Sequence, residues 1–96
     1  MKKVYKPYIE LVVMALDNYM KYYKLMGDNI AYYRKKKHLT QHGLAMQANI
    51  SRTHISHIEA ENVDKAPSLD ILFRICDILV VEPYQLFVAH EKETGH

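Results

Sequence analysis

The chain has little of what usually marks a chemical activity. A single cysteine in 96 residues cannot build an internal disulfide framework. Three scattered glycines leave no Gly-rich phosphate loop, and no nucleophile, base and orienting residue form a discernible set, so an enzyme is not expected. The longest apolar run, LVVMAL at 11–16, stops at Asp17, well short of the ~18 residues that a membrane helix requires. The basic amino terminus lacks the apolar core and small-residue cleavage site of a secretory signal. No strand-like alternation and no internal repeat appear. What these absences leave is a soluble, cytoplasmic, all-helical single domain without a cofactor. About half of its residues are apolar, and a chain of this size hides roughly 60–65% of its unfolded surface.

The net charge is only +2, but it is unevenly spread: residues 1–37 hold nine Lys or Arg against three acids, and residues 38–96 hold four against eight. That asymmetry favours an acidic partner for the amino-terminal half, although a run such as Arg34-Lys35-Lys36-Lys37 is more often a solvated helix face.

Apolar spacing places the helices. Pro7 stands where a helix can begin, and Ile9, Val12, Val13, Leu16, Tyr19, Met20 and Tyr23 recur at three- and four-residue steps, predicting an amphipathic helix over about 7–25. Gly27-Asp28 is expected to interrupt it. A second helix then reaches His38, which closes it in the left-handed conformation. Thr40 caps a short helix with Leu44, Ala45 and Ala48 inward. Asn49, tolerant of positive φ, turns the chain, and Ser51 caps the next helix over about 52–60. After a loop from Glu61 to Pro67, Ser68 caps a helix with the stripe Leu69, Leu72, Phe73, Cys76 and Leu79. Pro83 opens a last short helix carrying Leu86 and Phe87, and the tail from His90 is polar. The organisation read from this pattern is a basic arm and extra helix over 1–25, a domain over 26–89 and a tail over 90–96.

The helix after the Asn49 corner is unusual. On a wheel of about 100° per residue, Ile55 and Ile58 mark the buried side, while Thr53, Ser56, His57 and Ala60 gather opposite with Arg52 flanking. A face kept only for solubility is ordinarily rich in Glu and Lys. Short hydrogen-bonding groups instead let a helix backbone enter a groove while Arg and His reach base edges, which suits the DNA major groove.

The stretch from Gly27 to Phe87, GDNIAYYRKKKHLTQ, GLAMQANIS, RTHISHIE and PSLDILFRICDILVVEPYQLF, resembles the Cro and phage-repressor type of helix-turn-helix domain. The resemblance implies a five-helix repressor-like domain, here with an additional amino-terminal helix, in a bacterial or phage-type cytoplasmic regulator. It implies that Arg52, Thr53 and His57, with Ser56 a weaker candidate, face bases. Gln41 would bind phosphate, aided by Ser51 at a helix start and by some of Lys35, Lys36 and Lys37. It also implies a structural pair between Arg34 and Glu59 rather than a DNA contact by Arg34. The pattern departs from the family at His38 and Asn49, which occupy places usually given to glycine, and at Gly43, which lies inside a helix. The loop from Ala60 to Pro67 is longer than usual, and its Glu61 and Asp64 put phosphate contact by that loop in doubt unless Lys65 faces the duplex.

The plainer readings are held beside these. His38 with His42, and His54 with His57, have helical metal spacing, but no Cys or acid completes a set, so no metal is expected. Cys76 among Leu72, Phe73 and Leu79 reads as an inert core thiol. Tyr22, Tyr23, Tyr32 and Tyr33 read as packing that joins the extra helix to the domain rather than as base-stacking groups. Two functions remain open: a homodimeric, sequence-specific regulator, expected to be a repressor on a palindromic double-stranded DNA site, and an antitoxin-like or adaptor module that binds a protein partner with its amino-terminal helix. That helix has an apolar face to cover, on its own domain, on a second subunit or on another protein.

Overall fold

The computed structural model describes residues 2–60 and 66–90, with side chains from residue 19 onward. Glu61, Asp64 and Lys65, on which phosphate contact by the acidic loop turns, therefore lie outside the described residues. Four α-helices follow one another, α1 (Lys2–Lys36), α2 (Gln41–Ala48), α3 (Arg52–Ile58) and α4 (Leu69–Leu79), and a 3-10 turn, Pro83–Phe87, completes the domain. Among the described residues there is no strand, and no helix is long and apolar enough to cross a membrane.

The expected break at Gly27-Asp28 is absent: the extra helix and the first helix of the domain are one rod. A glycine inside a helix costs only about 1 kcal/mol relative to Ala, too little to end a helix whose next turns are buried. Gly27 is present for another reason. A Cβ at this position would run into the backbone carbonyl of Ile58, so α1 passes the end of α3 at a distance only glycine permits. The rod also starts at Lys2 rather than Pro7, so Pro7 lies inside it and forgoes one intrahelical bond.

Three helix ends share one device. His38 (φ 58°), Asn49 (φ 59°) and Val80 (φ 59°) are left-handed, and the chain has no positive-φ glycine among the described residues. In each case the following amide reaches five residues back: Leu39 N to Arg34 O at 3.1 Å, Ile50 N to Ala45 O at 3.0 Å and Val81 N to Cys76 O at 3.0 Å. This is the Schellman closure, whose next residue is typically apolar, and Leu39, Ile50 and Val81 all pack against the core. Val80 is the unexpected member, because a β-branched side chain is poorly suited to this region.

The core joins Met26 and Ile30 of α1, Leu44, Ala45 and Ala48 of α2, Ile55 and Ile58 of α3, Leu72, Ile75, Cys76 and Leu79 of α4, and Leu86. The apolar stripe expected on α4 is rotated. Ile75 is buried, whereas Leu69 and Phe73 are 65% and 49% exposed, because α2 and α1 cover α4 from the side centred on Leu72 and Ile75. Burial pushes the Cys76 thiol up from its ordinary range, with the carboxylates of Asp77 and Glu82 adding to it. A protonated core thiol is a poor nucleophile.

The carboxyl-terminal segment is pinned to α1. Asn29, fully buried, donates from Nδ2 to the carbonyls of Leu86 at 2.7 Å and Val88 at 3.0 Å. His90 stacks on Tyr32 with ring centroids 4.1 Å apart and meets Tyr33 edge-on at 5.4 Å. Tyr32 and Tyr33 thus secure the last residues of the domain, not the extra helix.

Two substitutions separate these backbone effects from ordinary propensity. Gly27→Ala, which stabilises an open helix by about 1 kcal/mol, is expected to destabilise this protein by about 2 kcal/mol through forced displacement at Ile58. Val80→Gly is expected to stabilise it by about 1 kcal/mol by releasing left-handed strain. Urea unfolding of both variants reads the two opposite signs.

Candidate nucleic-acid interface

The corner between α2 and α3 is built from local hydrogen bonds. Thr40, extended at φ −80° and ψ 167°, accepts the Gly43 amide on its Oγ1 at 2.9 Å and starts α2. Asn49 ends that helix in the left-handed region, and two residues later Ser51 accepts the His54 amide on Oγ at 3.0 Å and starts α3. One residue separates the two caps, so the helices cannot drift apart. Arg74 of α4 tightens the same corner by donating from Nη1 to the carbonyl of Ala48 at 2.6 Å, while its Nη2 meets Asp70 at 2.9 Å.

Ile55 and Ile58 anchor α3 from below, both essentially inaccessible. Arg52, Thr53 and His57 are exposed, and Ser56 is half-buried. Thr53, Ser56 and His57 occupy the side of the helix away from the isoleucines, with Arg52 on its flank in the first turn. Ser51 is also exposed; its hydroxyl oxygen is engaged as the cap, and its proton stays available to donate.

The residues singled out around the basic run divide. Arg34 is buried and turned inward: its Nε lies 2.8 Å from Glu59 Oε2, its Nη2 3.0 Å from Oε1, and its Nη1 donates to the Leu39 carbonyl at 2.8 Å. The fork ties the end of α1 to the residue that closes α3. Gln41 joins this network, donating from Nε2 to Glu59 Oε1 at 3.0 Å. One amide proton of Gln41 is thereby committed, leaving the second for an outside acceptor. Lys35, Lys36 and Lys37 are all exposed, but the Lys36 ammonium lies 5.2 Å from the Tyr32 ring centroid, within cation–π range. Among the described residues, no three His, Cys, Asp or Glu side chains come together to hold a metal ion.

Sequence reasoning missed Gly27, Arg74 and Asn29, which position the site without touching its outer face. Gly27 carried a usable signal: it stands seven residues before Arg34 on one helix face. Arg74 and Asn29 carried none, because their partners are backbone carbonyls 26 and 57 residues away in the chain.

Because the Arg34–Glu59 pair is desolvated, loss of one partner strands a charge. Arg34→Ala is expected to cost about 3 kcal/mol, and the double variant Arg34→Met, Glu59→Met clearly less than the sum of its singles, measured by denaturant unfolding.

A helix-turn-helix family profile matches residues 30–86, spanning α2, α3, their corner and the elements packed on them. Among solved structures, the chain is similar to the restriction-modification controller protein C.AhdI from Aeromonas hydrophila, with 25% identity and a TM-score of 0.61 over 68% of this chain and 96% of that one. It is also similar to the hypothetical transcription factor NHTF from Neisseria, with 25% identity and a TM-score of 0.64 over 70% of this chain and 73% of that one. No curated protein matches the sequence. With the capped corner, the buried isoleucines of α3 and a profile covering more than half of its residues, the chain belongs to the Cro/C1-type helix-turn-helix family, whose members are DNA-binding transcription regulators and not enzymes.

Proposed function

We propose that the protein is a cytoplasmic repressor that binds a roughly palindromic operator as a homodimer, placing one α3 in each of two successive major grooves about 34 Å apart. The observation that carries this reading is the two-sidedness of α3: Ile55 and Ile58 are fully buried, while Arg52, Thr53 and His57 face outward. A helix of seven residues gains little stability alone, so its firm anchoring serves what its outer face meets. Arg52, in the first turn, reaches a guanine in bidentate fashion; Thr53 and His57 discriminate neighbouring base edges, and Ser56, half-buried, contributes less. Gln41, through its remaining amide proton, and Ser51, through its hydroxyl, donate to phosphates at the starts of α2 and α3. Lys35 and Lys37 add counter-charge, and Lys36 adds less because its ammonium sits over Tyr32.

A second reading, a module that binds another protein through its amino-terminal helix, has one observation in its favour: Tyr19, Met20 and Tyr22 are exposed on α1. It does not account for the short polar groups of α3.

Selection from a random duplex library is expected to enrich a two-fold motif, with Arg52→Ala and His57→Ala each weakening binding to it by about 1–3 kcal/mol. Lys35→Ala with Lys37→Ala is expected to flatten the slope of log affinity against log salt by about 2, and Lys36→Ala to change it less. Failure to enrich any duplex from low-salt buffer, with a protein partner still bound through α1, would favour the second reading.

A further inference from the structure

Between Asp28 and Glu59 the chain has no acidic residue, and four of its six histidines, His38, His42, His54 and His57, fall in that stretch. It runs through the end of α1, all of α2 and all of α3, the elements that the preceding reading sets against a duplex. The four rings form two pairs, one at the junction of α1 with α2 and one on α3. The bond from Gln41 to Glu59 at 3.0 Å joins the start of α2 to the close of α3. His42, next to Gln41, and His57, two residues before Glu59, therefore border one surface.

Packing explains none of the four. His38, His42 and His57 are exposed and His54 is half-buried, and among the described residues no hydrogen bond or ion pair engages any of these rings. His38 even holds a left-handed backbone, at φ 58°, where glycine carries no steric cost. Its ring makes no bond in return.

We infer that His38, His42 and His54, together with His57, are titratable phosphate contacts, so that protonation of this face strengthens its grip on the DNA backbone. Imidazole changes charge between about pH 5 and 8. The charge around these rings is fixed in that range and mostly of one sign. Lys35, Lys36 and Lys37 stand at the end of α1 and Arg52 on α3. Arg34 and Glu59 neutralise each other, and on α4 Arg74 pairs with Asp70 while it holds the Ala48 carbonyl. Glu61, which follows α3 in the chain, lies outside the described residues. Besides the paired arginines, the face carries four cations, and four protonated rings double that number.

The sign of the effect follows from linkage. A phosphate brought within reach favours the charged ring, so the complex holds more protons than its separate partners. Affinity then rises as pH falls through the imidazole range, and levels off once the free protein is itself protonated. Each imidazolium set against a phosphate also releases about 0.9 counterion, so the salt dependence steepens in step. Lysine and arginine, charged throughout, produce neither change.

This inference rests on the DNA reading and adds its regulation by pH. The probe is a random-sequence duplex of about 30 base pairs, long enough for two half-sites one turn apart. Its binding is compared at about pH 8 and about pH 6, where carboxylates and lysines keep their charge. Affinity at fixed salt is expected to be at least about 10-fold higher at the lower pH, the effect of one proton taken up over one pH unit. The slope of log affinity against log salt is expected to steepen by about 2. His38→Asn with His42→Gln and His54→Gln, which keeps a residue tolerant of positive φ at position 38, should lose most of both effects. His90→Gln, which removes the ring stacked on Tyr32, should keep them. Independently of any effect on folding, proton NMR of the wild-type chain should show the rings of His38, His42, His54 and His57 titrating at higher pH with duplex bound than without, and that of His90 unmoved. The inference is overturned if affinity is equal at the two pH values, if the triple variant keeps the wild-type pH dependence, or if those four rings titrate alike with and without duplex. The operator reading survives all three results. Absence of duplex binding at both pH values in low-salt buffer removes the operator reading and this inference with it.

Discussion

The Arg34 guanidinium is the constraint on which the presentation of α3 depends. It uses all three of its nitrogens, two on the Glu59 carboxylate and one on the Leu39 carbonyl, so one side chain fixes the end of α1, the turn after it and the closing residue of α3. Because the pair is removed from water, its geometry has to be good to offset the cost of desolvation. Gln41 supplies the further hydrogen bond that Glu59 requires, and no buried side-chain nitrogen or oxygen among the described residues lacks a partner. The start of α2 and the end of α3 are therefore held through a single carboxylate. Groups that meet DNA at those two places keep a fixed relation to one another.

Much of this was legible in the sequence where the signal is local. Thr40, Ser51 and Ser68 act as caps because a hydroxyl just before a helix lies within reach of the unpaired amides of its first turn, and all three accept from the amide three residues on. His38 and Asn49 declared their left-handed backbone through their place between an apolar run and the next cap. The wheel over about 52–60 put Ile55 and Ile58 inward because a short helix that starts at a fixed cap has little freedom of phase.

The sequence was less informative where long-range packing decides. Gly27 reads as a helix breaker because propensity is a local quantity, while its neighbour, the Ile58 carbonyl, arrives from 31 residues further on. Leu69 and Phe73 read as core because α4 is apolar around much of its circumference, and only the directions from which α1 and α2 approach show that Ile75 replaces them. Val80 gave no warning at all. Its left-handed backbone follows from the need to seat Val81 on the core, with Val80 itself pointing to solvent, so the apolar residue after the turn outweighs the strain of the residue within it.

The faces of α1 show how one helix can serve two anchoring tasks at once. Asn29, Tyr32 and Tyr33 follow the three- and four-residue spacing of a single helix side, and these positions gather the segment from Leu86 to His90. Gly27 and Arg34, one heptad apart on another side, meet the consecutive residues Ile58 and Glu59. Met26 and Ile30 fill the core beside them. A break at Gly27 would uncouple these rows, since a change of helix axis rotates every later position relative to the earlier ones. Continuity through Gly27 is thus a requirement of the packing: the close approach at Ile58 and the buried pair at Glu59 can be satisfied together only if the two residues that make them stay in register on one rigid rod.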